Sequence, residues 1–176
     1  GEVIDEINAR KLWDYLIDSA HKSADPGVLF IDTINKFNLL KKRYLIEASN
    51  PCGEEPLIPF GACNLSSINL HYFCGKKGYN FEKLYETVYN LMKYMDNLID
   101  KMDFPDPRFK DMSQKYRQIG IGVMGMADTL YEMDLPYDSN EGREHVSKMM
   151  KTISTACIEA SADMAKERGK FHDYDV

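Results

Sequence analysis

Features that would mark several common protein classes are scarce in this 176-residue sequence. Its four cysteines include no Cys-x-x-Cys pair, so a disulfide scaffold is not predicted. No apolar run approaches the length of a membrane span, and no signal peptide is recognisable. We therefore expect a cytoplasmic protein with no membrane partner.

Positive charge is also limited. The 22 lysines and arginines are outnumbered by 28 acidic residues, which gives a net charge of −6 and argues against a nucleic-acid partner. The densest basic cluster, at 41–43, is short enough to be a solvated face. No metal site is predicted, because metal-ligand spacing is missing among the four histidines, His21, His71, His145 and His172.

What is present suits one domain or one large piece of a domain. The apolar content of 44% is sufficient for a hydrophobic core, and the ten methionines fall largely on predicted helical core faces. The chain begins at Gly1 rather than at methionine, which suggests a processed product or an excised piece.

The spacing of apolar residues predicts more helix than strand. Residues three or four apart indicate helices at 4–21, 81–102 and 141–168. Asn80 is the expected N-cap of the second helix, and Gly169 lies just past the end of the third. Short extended segments are predicted at 28–31, 44–48 and 65–70. The stretch 32–43 is compatible with either a helix or a loop.

The run Asn50-Pro51-Cys52-Gly53-Glu54 places an amide, a thiol and a carboxylate at alternate positions. In an extended segment these side chains point the same way, so they would meet one small substrate as a hydrogen-bonding group, a reactive sulfur and a base. The alternative is a tight turn, which Asn-Pro and a glycine with positive φ also suit. In that case Cys52 is an inert buried thiol and Glu54 a solvated carboxylate.

Eleven positions after Cys52, the run Gly61-Ala62-Cys63-Asn64-Leu65-Ser66-Ser67 follows. Residues 50–70 resemble the active-site finger loop of ribonucleotide reductase catalytic subunits, and further similarities to this family occur at 119–128 and 160–169. The three matches keep the family's order and cover most of the chain. The short spacing from Cys52 to Cys63 looks most like the adenosylcobalamin-dependent class, class II.

The resemblance implies an α/β fold, specifically a helix-rich fragment of the ten-stranded α/β barrel of ribonucleotide reductases. Residues 1–176 would form a single partial domain in three parts. These are an N-terminal helix and strands at 1–49, the catalytic finger loop with its following strand at 50–70, and a helical part at 71–176. A complete subunit of the family is several times longer.

The resemblance also implies roles for four residues. Cys52 would carry a transient thiyl radical that takes a hydrogen atom from C3′ of a ribonucleotide, and Glu54 would be the base on the 3′-hydroxyl. Asn50 would bind the substrate hydroxyls. Cys63 would be one of two thiols that deliver the reducing equivalents and close as a disulfide.

A complete enzyme of this kind would have several partners. The resemblance implies a ribonucleoside di- or triphosphate substrate, a thioredoxin-like reductant, the remaining reductase chain and adenosylcobalamin, which is not expected to bind this chain alone. The family's second reducing thiol lies on an earlier strand, and neither Cys74 nor Cys157 matches it. No downstream phosphate-binding loop, allosteric nucleotide site or C-terminal dithiol tail is recognisable. The chain is therefore expected to be a piece of a ribonucleoside-diphosphate reductase that is inactive alone.

Three other interpretations stay open. A class I large subunit would need a separate metal-containing, radical-generating subunit. A helical assembly module would complement other chains of a split reductase without catalysing the reaction. A dinucleotide-binding module is suggested by Gly120-Ile121-Gly122-Val123-Met124-Gly125. The hydrophilic run 113–117 precedes that motif, so close packing of a short strand on the next helix explains its glycines more simply.

Overall fold

The computed structural model describes residues 3–172 and residue 174. Helices predominate over short strands in these residues. In chain order the elements are α1 (Ala9–Ser23), α2 (Ile31–Lys36), β1 (Asn64–Asn69), a 3-10 helix (Leu70–Phe73), β2 (Cys74–Gly75), β3 (Gly78–Tyr79), α3 (Phe81–Lys101), α4 (Pro107–Tyr116), β4 (Ile119–Met124), α5 (Met126–Glu132) and α6 (Asn140–Arg168). No helix in the described ranges is both long enough and apolar enough to cross a membrane.

The chain divides into two compact units, and the first is Gly1–Pro59. Its helix α1 begins later than predicted, because the Asn8 side chain accepts a hydrogen bond from the Lys11 N–H (3.1 Å) and caps the helix there. The helix ends at Ala24, whose left-handed backbone (φ 61°) closes the last turn. The predicted helix is therefore present with both ends shifted.

The strand predicted at 28–31 is wrong. Val28, Leu29 and Phe30 are 42%, 40% and 65% exposed, and Ile31 is already the first residue of α2. A short apolar run becomes a strand only when another strand satisfies its backbone N–H and C=O groups, and no described segment pairs with this run.

The extended segment predicted at 44–48 is held by a side chain rather than by a sheet. The Asn35 amide donates to the Ile46 carbonyl (2.8 Å), and its oxygen accepts from the Ile46 N–H (2.9 Å). Because an asparagine side chain carries both a donor and an acceptor, Asn35 replaces a neighbouring strand at this residue. An isolated antiparallel bridge between Ala48 and Leu57 follows and closes the base of the motif segment.

The second unit, Phe60–Val176, contains a parallel β–α–β arrangement. β1 pairs with β4, with Asn64 opposite Ile119 and Asn69 opposite Met124. Parallel strands require a crossover connection, which here includes α3 and α4. The strand predicted at 65–70 is thus confirmed to within one residue at each end.

Helices α3 and α6 confirm the strongest periodic predictions. Asn80 caps α3 by accepting from the Lys83 N–H (2.9 Å), and Gly169 follows the last residue of α6. Met150, one of the methionines expected on a helical core face, is instead 37% exposed, because it lies about 100° around the helix from the buried Met149. The core beneath the two helices consists of Ile68, Leu70, Phe73, Leu84, Val88, Met149, Ile153 and Ala156.

The sequence prediction does not include two features of the second unit. β2 and β3 form a hairpin of two residues each, which is too short for an alternating pattern to be visible. Helix α4 carries a start signal: the Asp106 side chain accepts from the Arg108 N–H (2.8 Å), and Pro107 occupies the first turn.

Candidate active-site loop

The segment around Cys52 is a tight turn. The Gly53 N–H donates to the Asn50 carbonyl at 3.0 Å, which places Pro51 and Cys52 at the two central positions. Gly53 has φ +84°, a value that glycine adopts without strain. The backbone here is therefore the tight turn, and the alternation expected of an extended segment is wrong. Pro51 explains the difference, since its ring fixes φ and it has no N–H for a strand ladder.

The Asn50 side chain stabilises this turn from within. Its oxygen accepts a hydrogen bond from the Glu55 N–H at 3.0 Å, and the Ser49 hydroxyl donates to the Asn50 carbonyl at 2.9 Å. The backbone and side-chain oxygens of Asn50 thus both accept from N–H groups that follow Cys52, those of Gly53 and Glu55. The amide nitrogen of Asn50 has no hydrogen-bond acceptor among the described residues, so it is available to a ligand.

Cys52 and Glu54 lie on the exposed part of the turn. No hydrogen bond or ion pair from a described residue engages the Cys52 sulfur or the Glu54 carboxylate. The turn therefore leaves the Cys52 sulfur and the Glu54 carboxylate accessible, two positions apart in the sequence. An accessible thiol and carboxylate, with the Asn50 amide in the same turn, are groups that radical or nucleophilic chemistry can use.

Cys63 belongs to the second unit and immediately precedes β1. Its half-buried thiol donates to the Asn64 carbonyl at 3.5 Å. Asn64 in turn is bound to α3, because its amide donates to the Met95 carbonyl at 3.0 Å. The strand start thus gives Cys63 a defined backbone position.

Cys74 and Cys157 have different environments from the two motif cysteines. Burial raises the pKa of the Cys74 thiol, which also hydrogen-bonds to Thr129, and burial alone raises the pKa of the Cys157 thiol. Cys157 packs against the core formed by α3 and α6, as its position on an apolar stripe predicts. All four cysteines lie in the described part of the chain, and none forms a disulfide.

The glycines at 120–125 have a packing function. Gly120 and Gly122 lie inside β4, whereas the glycines of a dinucleotide-binding motif lie in the turn after the strand. Gly125 ends the strand with φ +70°, and a Cβ there would approach the Asn69 side-chain oxygen to 2.5 Å. These positions favour close approach of backbone segments, as predicted, over phosphate binding.

A cluster of charged residues beside α3 had not been singled out from the sequence. Arg117 donates to Asp96 Oδ1 (2.6 Å) and forms a two-pronged pair with Asp100 (2.9 and 3.0 Å). Arg168 donates to the other oxygen of Asp96 at 2.6 Å. The sequence does carry one indication of this cluster: Asp96 lies next to Met95 on the apolar side of a helix, where a charged residue is unusual. Asp96 is only 8% exposed. In the described ranges, no cluster of three or more His, Cys, Asp or Glu residues is arranged to hold a metal.

Residues 2–176 match the protein family described as "Ribonucleotide reductase, barrel domain". The chain belongs to this family. The resemblance found at 50–70 and the α/β fold class that it implied are thereby confirmed, with this chain as a helix-rich fragment of the barrel.

Named relatives agree with this assignment. The chain is 43% identical over 171 residues to the vitamin B12-dependent ribonucleoside-diphosphate reductase of Thermoplasma acidophilum, covering 97% of this chain and 22% of that protein. It is 38% identical over 171 residues to the protein of the same description from Mycobacterium tuberculosis, covering 97% and 25%. The chain therefore spans a quarter or less of these curated relatives.

A solved structure shows the same fold. The chain superimposes on the Actinobacillus ureae class Id ribonucleotide reductase alpha subunit with a TM-score of 0.75 at 28% identity. The match covers 92% of this chain and 32% of the other.

Proposed function

We propose that this chain supplies the catalytic loop of an adenosylcobalamin-dependent ribonucleotide reductase, which converts ribonucleotides into deoxyribonucleotides. The observation that carries the proposal is the Asn50–Gly53 turn, which exposes Cys52 beside Glu54 and a free amide donor of Asn50. The printed names of the Thermoplasma and Mycobacterium relatives support the B12-dependent type. The product would serve DNA replication in the cytoplasm.

Cys52, Glu54 and Asn50 would act on the ribose. A Cys52 thiyl takes the hydrogen atom from C3′, which restores the thiol and leaves a carbon radical. Glu54 accepts the proton of the 3′-hydroxyl while the C2′–O bond breaks and the 2′-hydroxyl leaves as water. The Asn50 amide donates to a ribose hydroxyl and fixes the ring over the sulfur.

Cys63 would belong to the reducing pair. Cys63 and a second thiol outside these residues give up two hydrogen atoms to the substrate and the leaving water, and their sulfurs form a disulfide. Glu54 returns its proton to the 3′-oxygen, and Cys52 returns its hydrogen atom to C3′. In total, one ribonucleotide and two thiols yield one deoxyribonucleotide, one disulfide and one water. A thioredoxin-like dithiol would reduce the disulfide for the next turnover.

Among the described residues, the Cys52 sulfur is the atom on which the proposed cofactor would act. The exposed sulfur of Cys52 is open to a radical-generating group, since no described residue hydrogen-bonds to it. When bound, adenosylcobalamin would supply the organic radical that removes the hydrogen atom from this sulfur. We assign no cofactor-binding residues to this chain. We propose that the chain alone is inactive on ribonucleoside di- or triphosphates.

The proposal is tested by substituting the two motif cysteines in a complete reductase that contains this segment. Cys52→Ser should abolish hydrogen abstraction at C3′, because a hydroxyl O–H bond is too strong for the exchange. Cys63→Ser should permit abstraction from a C3′-labelled substrate but stop formation of deoxyribonucleotide. Near-normal turnover in both variants would show that the roles are wrong.

The structural match to a class Id alpha subunit supports a second candidate, a reductase whose radical comes from a separate subunit. The two candidates differ in what restores activity to the purified complete enzyme. Activity that depends on added adenosylcobalamin supports the first candidate. Activity without it, on addition of a radical-generating subunit, supports the second.

A further inference from the structure

Asn64 connects the candidate reducing thiol to the helical layer of the second unit. Its side-chain amide donates to the Met95 carbonyl at 3.0 Å, a contact across 31 positions of sequence. Its own carbonyl accepts the hydrogen bond from the Cys63 thiol at 3.5 Å. The residue that anchors the strand start to α3 is therefore also the residue to which the thiol is bonded.

The turn of α3 that receives Asn64 is itself fixed. Arg117 donates to the Asp96 carbonyl (2.7 Å) and to the Asp96 carboxylate (2.6 Å), next to the carbonyl that Asn64 uses. Arg117 lies two residues before Ile119, which is opposite Asn64 in the parallel pair. The starts of β1 and β4 are thus bound to adjacent carbonyls of one helix, and Met95 and Asp96 are only 2% and 8% exposed.

The two ends of the Asn64 amide have different surroundings. Its oxygen is buried and has no hydrogen-bond partner among the described residues. An unpaired buried acceptor destabilises a protein, and an apolar side chain of the same shape would remove this cost. The donor end, which bonds to Met95, accounts for keeping asparagine at this place.

We propose that Asn64 is a positioning residue for Cys63, holding the thiol where it can close a disulfide with its partner; this inference rests on the proposed function. Disulfide formation requires narrow limits on the distance and direction between two Cβ atoms. A strand start that is free to move would satisfy these limits less often. Loss of the Asn64 amide should therefore impair the reducing step and leave hydrogen abstraction by Cys52 intact.

The test uses Asn64→Leu in a complete reductase, because leucine keeps the shape and removes both the donor and the unpaired oxygen. The matched control is Asn69→Ala at the other end of β1, where the side chain accepts only from the exposed His71 N–H (3.2 Å). Two quantities are measured on pre-reduced enzyme without external reductant. They are the deoxyribonucleotide formed per enzyme in one turnover and the total ribonucleotide consumed, with C3′-deuterated substrate used to show that consumption begins with abstraction at C3′.

Asn64→Leu should slow product formation about tenfold or more while ribonucleotide consumption stays within about twofold of the wild type, because abstraction at C3′ continues. Asn69→Ala should change neither quantity by more than about twofold. Unchanged product formation in Asn64→Leu, or an equal loss in both variants, would overturn the inference. If Cys52→Ser still consumes ribonucleotide with a C3′ isotope effect, the proposed function fails instead, so the two failures are distinguishable.

A second measurement covers the case in which Asn64→Leu disturbs folding of the complete enzyme. In the 176-residue chain, the rates of alkylation of Cys63 and Cys52 by iodoacetamide are followed by mass spectrometry, with Asn64→Ser as a milder variant. Loss of the anchor should raise the Cys63 rate about fivefold or more, and the Cys52 rate should stay constant as an internal reference. An unchanged Cys63 rate in both Asn64 variants would contradict the inference.

Discussion

Single residues with unusual backbone conformations determine where this chain turns sharply. Gly53 (φ +84°) completes the turn that exposes Cys52, and Gly125 (φ +70°) ends β4 directly against Asn69. The two glycines face different neighbours. A Cβ on Gly53 would meet no atom closer than 3.9 Å, whereas a Cβ on Gly125 would approach Asn69 Oδ1 to 2.5 Å. Gly125 is therefore the more constrained position.

Gly125→Ala should destabilise the protein by about 2 kcal/mol, since both the left-handed backbone and the approach to Asn69 oppose a side chain. Urea unfolding monitored by circular dichroism measures the change. Gly122→Ala in the same motif is the control, because its Cβ would make only ordinary contacts at 3.7 Å with the Ser66 carbonyl. Equal stability of the two variants would contradict this account of the motif.

At the scale of secondary-structure elements, α3 organises the second unit. The Tyr85 hydroxyl of α3 donates to Glu159 of α6, and the Tyr89 hydroxyl, one turn further along α3, donates to Asp163, one turn further along α6 (2.9 Å). The two helices therefore run in the same direction, as expected when each follows one strand of a parallel pair. Further along α3, Asp96 joins the helix to Arg117 and Arg168.

Asp96→Asn should cost about 3 kcal/mol, because it leaves two arginines beside a buried residue without their shared carboxylate. The matched control is Asp111→Asn, which breaks an exposed pair with Lys115 one helical turn away and should cost about 0.5 kcal/mol or less. Denaturant midpoints of both variants measure the difference. If Asp96→Asn were as mild as the control, the cluster would not contribute to stability.

His145 makes the stability of the α6 region depend on pH. Burial lowers the pKa of this histidine, the nearby Lys148 lowers it further, and its Nε2 is buried without a hydrogen-bond partner among the described residues. The unfolded chain, with the ordinary value of 6.5, then binds the proton more readily than the folded chain. Stability should fall as the pH drops through 6.5 and level off only below the folded-state pKa.

The urea midpoint of the wild type should therefore decrease between about pH 7.5 and pH 5.5, and His145→Gln should show a smaller decrease. The difference between the two curves isolates this residue from the other titrating groups. Parallel curves for wild type and variant would show that His145 does not contribute.

At the scale of the whole chain, regular structure is unevenly distributed. Residues 50–61 contain three prolines and, within the described ranges, one isolated bridge at Leu57, whereas α3 and α6 run for 21 and 29 residues. That residues 1–176 act as a single partial domain stays a prediction. Parts of the enzyme outside these residues would then complete the surroundings of the loop.

Hydrogen exchange of the 176-residue chain should accordingly be fast at 50–61 and slow in the interiors of α3 and α6. Few of the loop's backbone amides are bonded within the chain, and the helices bury apolar faces. Peptide-resolved mass spectrometry measures both regions in one sample. Strong protection of 50–61 would mean that this chain orders the candidate loop without other parts of the enzyme. The 176-residue chain should then be tested for activity by itself.

The sequence by itself determined the features that depend on neighbouring residues. The caps at Asn80 and Gly169 and the apolar stripes of the two long helices are local, because each depends on residues within a few positions. Asn50-Pro51 left a turn and an extended segment both possible. The family resemblance was likewise contained in short motifs. Three findings required the tertiary structure: β1 pairs with β4, 28–31 has no strand partner among the described residues, and Asn64 and Arg117 bond to neighbouring carbonyls of α3. These contacts join residues tens of positions apart, and no local pattern specifies which distant groups will satisfy one another.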